Sequence, residues 1–306
     1  MKLPRHSRGF TLVEAVMVIV IIGVLSVMVA VFIRVPILGY RDTVARAELT
    51  DQADLALRRI ARDIRSALPN SVRVTASNGA GGAIEFLQAV SGGRYLAAED
   101  NVPNLPVLDF EGTQADPNQF TVLAPPASYA NVRAGDYVVV YNLGEGFEPA
   151  NAWRLGQADS NIAQVRTAGA VGQQVIGAGT FGTATISLAA SPFRSQSVPM
   201  PSPDRRFQVV RGPVSYYCAA RADGTLDLWR AWGYPITPAQ SAPPSGGQRA
   251  LVAGNLASCA GLFDYSSAAN QRAGLVIMAL ALRPRSGSGD NTAVRLVHQV
   301  RVDNTP

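Results

Sequence analysis

The chain has 306 residues, of which 47% are hydrophobic, and a formal net charge of +5 at pH 7. Three of its 27 lysines and arginines lie in the first nine residues, and the other 24 exceed the 22 acidic residues by only two. So small a positive excess does not indicate a polyanionic partner, and we predict no binding of nucleic acid.

The first segment of interest joins a basic leader to an apolar run. The leader ends at Gly9, and a nearly uninterrupted apolar stretch extends from Phe10 to Ile33. These 24 residues exceed the roughly 20 that cross the hydrocarbon core of a bilayer. Glu14 lies inside this stretch, where an ionisable group costs on the order of 2.5–3.5 kcal/mol at the centre of a span and less near its end. Glu14 is therefore a candidate functional residue that needs a partner.

Gly9 followed by Phe-Thr-Leu-Val-Glu and the apolar run resembles the class III signal of type IV pilins and type II secretion pseudopilins. The resemblance implies that a prepilin peptidase cuts between Gly9 and Phe10 and methylates the new N-terminus at Phe10. It also implies that Glu14 meets the N-terminal amine of a neighbouring subunit during assembly. Val13 stands where isoleucine is commoner, which is a conservative change.

Two other interpretations explain the segment less well. A conventional secretory signal has a small-residue cleavage site after its apolar core, and no such site occurs near residues 26–30. A plain signal anchor has no use for Glu14 or for Gly9 directly before Phe10. The pilin-like interpretation is therefore preferred.

The charges around the span predict its orientation. The basic leader precedes it, so the positive-inside rule places the leader in the cytoplasm, although Arg34 and Arg41 oppose this bias. In the family that the signal resembles, the remainder of the chain lies in a bacterial periplasm. We expect a single-pass protein of the inner membrane that is later assembled into a surface pilus.

A second helical segment follows the span. Pro36 is expected to kink or loosen the helix, and the helix is expected to end at Pro69. Between them, apolar residues recur at steps of three and four and form one face. These residues are Leu49, Ala53, Leu57, Ile60, Ile64 and Leu68.

Four arginines lie on the other faces of this second segment. Arg58, Arg59, Arg62 and Arg65 are expected to form a solvated face that pairs locally with Asp54 and Asp63. Contact with acidic surfaces of adjacent subunits or with lipid head groups is the alternative, and the sequence does not separate the two.

From residue 71 onward, short segments rich in Val, Ile, Tyr and Phe alternate with Gly, Pro, Asn and Asp, which predicts strands. The predicted strands are 71–76, 83–88, 120–123, 136–141, 183–188, 206–210, 214–218, 226–232, 275–282 and 293–302. The predicted fold is α+β, with a long N-terminal helix packed on a β-rich domain of antiparallel sheet. The expected regions are a leader (1–9), a transmembrane and assembly helix (10–35), an amphipathic helix (36–69) and a periplasmic β-rich domain (70–306). Segments 191–204 and 234–248 are expected to be mobile surface loops.

Cys218 and Cys259 are the two cysteines of the sequence. In an oxidising periplasm such a pair is expected to form a disulfide. The bridge would close a loop of about 40 residues, which is worth roughly 4 kcal/mol by the chain-entropy estimate. A metal site is not expected, because no third ligand with suitable spacing lies nearby.

The sequence gives little support for enzymatic chemistry. His6 lies in the leader, and His298, in a predicted strand, is interpreted as a structural residue. The sequence contains no Gly-x-Ser-x-Gly elbow or phosphate-binding glycine loop. We predict no enzymatic activity, no metal and no cofactor.

Several later segments resemble minor subunits of the mannose-sensitive haemagglutinin (MSHA) type of pilus. They include 56–73, 135–142, 206–214 and 298–302. The resemblance implies a minor pilin that initiates or caps an MSHA-like type IV pilus at or near its tip. The implied partners are the prepilin peptidase, other pilins that contact the N-terminal helix, and the assembly platform of the inner membrane. The alternatives are a minor pseudopilin of a type II secretion system and a pilus-associated adhesin that binds ligands through loops 191–204 or 234–248.

Overall fold

A computed structural model describes residues 9–75, 82–157, 159–266, 273–284 and 292–306, and within these the side chains of residues 35–38 are not described. Most of the predicted leader and the side chain of Pro36 lie outside the described residues. The expectation that the Pro36 ring loosens the helix is therefore not tested, although the backbone around it is helical.

One helix, α1 (Leu12–Arg65), contains the predicted transmembrane and amphipathic segments without a break between them. It begins after Thr11, whose side chain accepts a hydrogen bond from the Glu14 amide at 3.3 Å and caps the helix. It ends at Arg65, four residues before the predicted end at Pro69. The reason is that Leu68 donates its amide to the carbonyl of Leu87 at 2.8 Å, so the chain has already joined the sheet.

After the helix, the described residues form strands joined by loops, with three short 3₁₀ helices (Ala98–Asp100, Ala127–Asn131 and Phe193–Ser195). The strands are β1 (Arg73–Thr75), β2 (Ala83–Tyr95), β3 (Gln119–Leu123), β4 (Tyr137–Val139), β5 (Ile162–Ala168), β6 (Gly172–Ile176), β7 (Gly179–Leu188), β8 (Arg206–Ala220), β9 (Leu226–Trp232), β10 (Gln248–Leu256), β11 (Phe263–Ser266), β12 (Ala273–Leu282) and β13 (Val294–Asp303).

These strands form one antiparallel sheet with the order β1-β2-β3-β7-β5-β4-β8-β9-β10-β12-β11. β13 pairs with β12, β6 pairs with β7, and β2 also pairs with β8. The long helix and the antiparallel sheet confirm the α+β prediction.

Most predicted strands are present, and the prediction for 226–232 matches β9 residue for residue. Several predictions were wrong in extent. The predicted strand 83–88 is the first part of β2, which continues to Tyr95, and 206–210 and 214–218 are parts of the single strand β8. Pro213 lies inside β8, opposite Leu87, so the Gly-Pro pair does not interrupt the strand. Strands β5, β6, β10 and β11 were not predicted, because they are short or contain Gly, Gln and Asn.

The second half of α1 packs on the sheet through its predicted apolar face. Every residue of that face is at most 8% exposed: Leu49, Ala53, Leu57, Ile60, Ile64 and Leu68. The first five form one core with inward residues of the sheet, among them Tyr216, Met278 and Val300. A separate core, which includes Phe120, Phe193 and Phe207, lies within the domain away from the helix. The helix is therefore an integral part of the globular domain from Leu49 onward.

The two predicted surface loops are more firmly anchored than expected. Phe193 and Ser202 of the first loop are buried, as are Tyr234 and Ile236 of the second. Most residues of both segments are exposed, as expected of surface loops, but Pro and Ser content does not show which apolar side chains turn inward.

Candidate functional site

The first half of α1 is an apolar surface with nothing packed on it. Its most apolar 18-residue window is 0% buried in the described chain, and the helix is long and apolar enough to cross a membrane. Leu12 and Phe32, near its two ends, are 80% and 79% exposed. An exposed apolar area of this length requires a lipid or protein environment to cover it. The helix therefore indicates membrane anchoring.

The predicted processing point lies in the non-helical residues just before this helix. Gly9 and Phe10 are outside the helix and exposed, and Phe10 keeps 73% of its surface. A Cβ placed on Gly9 would meet no atom within 4 Å. Among the described residues, nothing covers the peptide bond between them and nothing requires glycine at position 9.

Glu14 lies in the first turn of α1 and is exposed. A carboxylate at this end of a helix is favoured by the helix dipole. Its side chain has no ion-pair or hydrogen-bond partner among the described residues. The described part of the chain therefore provides no cation for Glu14, and Glu14 is near Gly9 and Phe10 only because they are close in sequence.

A polar contact fixes the other end of the helix to the sheet. Asp63 Oδ2 accepts hydrogen bonds from the Tyr216 hydroxyl and from Arg230 Nε, both at 2.7 Å. Burial and the nearby carboxylate of Asp63 raise the pKa of Tyr216. For Arg230, burial alone would lower the pKa, but the hydrogen bond and the charge of Asp63 outweigh it and raise the pKa. Asp63 was expected to pair locally on the helix, and this expectation was wrong.

The residues just after the helix connect three parts of the domain. Asn70 has a left-handed backbone with φ of 58°, and its side-chain amide donates to the carbonyls of Asn142 at 2.9 Å and Asn304 at 3.0 Å. In return, Asn142 Nδ2 donates to the carbonyl of Pro69 at 2.7 Å. These bonds tie the end of the helical segment to a loop and to the residue that follows β13.

A buried ion pair anchors the second predicted loop. Arg73 Nε donates to Glu85 Oε2 at 2.7 Å, and the guanidinium lies 3.6 Å from the ring centroid of Trp153. The same guanidinium donates to the carbonyl oxygen of Thr237 at 2.9 Å. Glu85 Oε1 accepts from the Tyr234 hydroxyl at 2.8 Å, and burial, followed by the charge of Glu85, raises the pKa of Tyr234. Nothing local in the sequence indicates these long-range contacts.

The structure contains a disulfide between Cys218 and Cys259, which are 41 residues apart and have a Cα–Cα distance of 5.6 Å. It links β8 to the segment before β11. The amide of Gly82, at the start of the segment that leads into β2, donates to the carbonyl of Cys259 at 3.2 Å. The bridge therefore closes the stretch of chain that contains β9 and β10, because it links the segment after β10 to β8.

Within the described ranges, no three His, Cys, Asp or Glu side chains form a group that could hold a metal ion. His298 lies in β13 opposite Met278 and is half-buried. It faces the same side as Val300 and Val302, which pack against the helix.

Comparison with known proteins identifies one feature of the chain. Residues 4–30 match the family model described as the prokaryotic N-terminal methylation motif. No curated protein and no solved structure matches the chain. The motif supports a prepilin-type subunit of the type IV pilin-like or pseudopilin kind, and it implies processing by a prepilin peptidase and assembly with other pilins.

Proposed function

We propose that the chain is a minor pilin, a prepilin-type subunit needed to initiate an MSHA-like type IV pilus, and that its role is structural and not catalytic. The observation that carries the proposal is the exposed apolar first half of α1, which overlaps the methylation motif at residues 4–30 and whose apolar run to Ile33 contains one acidic residue, Glu14. Because its apolar side chains are exposed, this helix can lie in a bilayer before assembly and pack among the helices of other subunits afterwards.

The proposed processing step is cleavage between Gly9 and Phe10 and methylation of the Phe10 amine. A side chain at position 9 would meet open space, so the demand for glycine comes from outside the fold. We assign it to the active site of the prepilin peptidase, which must accept the backbone closely.

Glu14 is the proposed assembly contact. In the apolar core of a filament an unpaired carboxylate would be strongly unfavourable, whereas one that faces an ammonium group is compensated. Cleavage creates such a group at Phe10, and the chain itself provides Glu14 with no other cation among its described residues. A neighbouring subunit whose amine lies beside Glu14 would satisfy both charges.

We propose that the leader is cytoplasmic, that α1 spans the inner membrane once, and that the β-rich domain is periplasmic before assembly. The disulfide supports this placement, because such bonds persist in oxidising compartments. The assembly platform of the inner membrane is then the partner that extracts the subunit.

The finer assignment rests on the resemblance of segments such as 56–73 and 135–142 to the MSHA biogenesis protein MshO. A domain of this size is hard to repeat throughout a slim filament, which favours a low-copy position at or near the tip. Immunogold labelling should find the protein at filament ends, and labelling along whole shafts would overturn this position.

Glu14→Gln tests the assembly role, because it removes the charge and keeps the shape of the side chain. We expect normal membrane insertion and processing but loss of surface pili in the native host. Glu111→Gln, at an exposed carboxylate of the β-rich domain, is the control and should leave pili intact. Normal piliation with Glu14→Gln would contradict the assigned role.

A minor pseudopilin of a type II secretion system is the second candidate, since the matched motif covers only residues 4–30 and does not separate the two systems. Deleting the gene distinguishes them: loss of pili with normal secretion favours the pilin, and loss of secretion with normal pili favours the pseudopilin.

A further inference from the structure

The outward face of α1 beyond the span carries two blocks of opposite charge. The first, the acidic block, consists of Val44, Glu48, Asp51 and Asp54. The second, the basic block, consists of Leu55, Arg59, Arg62 and Arg65. Each block has an apolar residue followed by charged residues at the fourth, seventh and tenth positions after it.

The two blocks are related by an offset of eleven residues. Eleven residues correspond to about 16.5 Å along a helix and to about 20° more than three full turns, so residues related by this offset share a face. Val44 therefore corresponds to Leu55, Glu48 to Arg59, and Asp51 to Arg62. An acidic residue in one block matches a basic residue in the other at all three charged positions.

These residues are available for an intermolecular contact. Leu55 is 68% exposed and Val44 is 39% exposed, although both are apolar. Glu48, Asp51, Arg59, Arg62 and Arg65 are exposed and have no ion pair within the described part of the chain. Only Asp54 is already paired, with Arg58 at 2.7 Å. The face is continuous with the apolar surface of the span on the same helix.

We propose that this face is a self-association surface, on which a second copy of the chain packs its helix in parallel with an axial offset of about 16.5 Å. The offset places the acidic block of one copy against the basic block of the other, and Val44 beside Leu55. The proposal rests on the proposed function, because the shared membrane orientation of prepilin-type subunits is what makes the two helices parallel.

The same pattern disfavours association without an offset. Two copies at the same height would place Arg59 and Arg62 of one copy against the same arginines of the other, and the acidic blocks would also face each other. Copies side by side in one bilayer stand at equal height. The contact therefore forms only after one copy has moved outward by about half the roughly 30 Å thickness of the hydrocarbon core. The charges therefore set the register of the contact: they repel two subunits that stand at equal height in the membrane and favour contact between subunits offset by about 16.5 Å.

The register is tested by cysteine cross-linking of the full chain in the native host. The native cysteines are paired with each other, so Val44→Cys and Leu55→Cys add the only free thiols. With both variants co-expressed under distinguishable tags, mild oxidation should give a dimer that joins position 44 of one copy to position 55 of the other. The dimer should disappear in cells that lack the inner-membrane assembly platform.

A dimer formed by Leu55→Cys with itself, or no dimer at all, would overturn the proposal. The arginines would then serve a different subunit or lipid head groups. The N-terminus of the same samples is sequenced as well. Processed protein without the offset dimer refutes only this inference, whereas protein that keeps residues 1–9 refutes the proposed function.

Charge reversal provides the second test. Arg59→Glu with Arg62→Glu should abolish the cross-link, and so should Glu48→Arg with Asp51→Arg. Co-expression of the two doubly reversed proteins restores opposite charges across the contact and should restore the cross-link, which a folding defect would not permit. Arg295→Glu with Arg301→Glu, both exposed on β13, is the control and should leave the cross-link unchanged. Failure of the mixture to recover would contradict the pairing.

Discussion

The contact between Asp63 and the sheet gives the sharpest prediction about how the helix is held. Asp63 lies on α1, and its carboxylate binds the Tyr216 hydroxyl on β8 and Arg230 on β9. We consider Asp63→Asn, which removes the charge and keeps a side chain of nearly the same size.

The expected loss follows from burial. Removing one partner of a fully buried ion pair destabilises a protein by about 3–5 kcal/mol. The side chains of Asp63 and Arg230 retain 16% and 13% of their exposure, so water screens part of the interaction. Asparagine also keeps one oxygen that can accept a hydrogen bond. We therefore expect the free energy of unfolding to fall by about 2–3 kcal/mol.

The assay is urea unfolding of the purified full chain in detergent, with tryptophan fluorescence as the readout. The matched control is Asp51→Asn, an exposed position on the same helix with no ion pair among the described residues, which should change the free energy by less than about 0.5 kcal/mol. A double-mutant cycle with Arg230→Met should give a coupling energy of about 1–2 kcal/mol. Equal effects of Asp63→Asn and Asp51→Asn would refute the assigned role of this contact.

Three further predictions concern stability. Ile64→Ala, at a fully buried site, should lower the free energy of unfolding by about 2–5 kcal/mol. Leu55→Ala, at an exposed site on the same helix, should change it little. Similar losses for the two variants in urea unfolding would contradict the packing of the helix on the sheet. Replacing Cys218 and Cys259 by serine should lower it by up to about 4 kcal/mol, and unchanged urea midpoints would show that the bridge does not constrain the domain. Burial raises the pKa of Tyr95 from 10.0 to about 12, so its contribution is complete below pH 10 and is lost as pH rises toward 12. Tyr95 should contribute at most about 2–3 kcal/mol to the loss of stability over that range. Tyr216 and Tyr234, whose pKa values are also raised, contribute to the same loss, so Tyr95→Phe should reduce the pH dependence without abolishing it. An identical slope in the variant would contradict this prediction.

The architecture of the chain is largely readable from its sequence, because periodicity reports burial directly. The apolar residues of α1 from Leu49 to Ile64 recur at helical spacing and are buried against the sheet. In β13, Val300 and Val302 alternate with exposed Arg301, as a strand with one buried face requires.

The contacts that hold these elements together are not readable in the same way. Asp63 has arginines near it on the helix, yet it binds Arg230, a residue 167 positions away in sequence. Similarly, Arg73 reaches the carbonyl of Thr237, 164 positions away. Local charge spacing favours pairs on one helix, whereas the observed partners depend on which strands the fold brings beside them.

Strand boundaries show a related difficulty. Pro213 ends a strand by local rules, since it cannot donate to a ladder, but β8 continues through it. The pairing of β8 with β2 on one side and with β9 on the other outweighs the one missing donor. The candidate site is different, because Gly9, Phe10 and Glu14 form a short contiguous motif whose meaning does not depend on tertiary contacts.

The N-terminal peptide of the protein isolated from its native host is the most direct test of a prepilin-type subunit. Trypsin cuts after Arg8 and Arg34, so the unprocessed chain gives the peptide 9–34 and the processed chain gives 10–34. Lys2 is the single lysine of the sequence, so a processed and methylated protein has only a secondary amine at Phe10 and is not labelled by a primary-amine-specific reagent such as o-phthalaldehyde. We predict the methylated peptide 10–34 and no labelling; recovery of 9–34 with labelling of Lys2 would contradict the account.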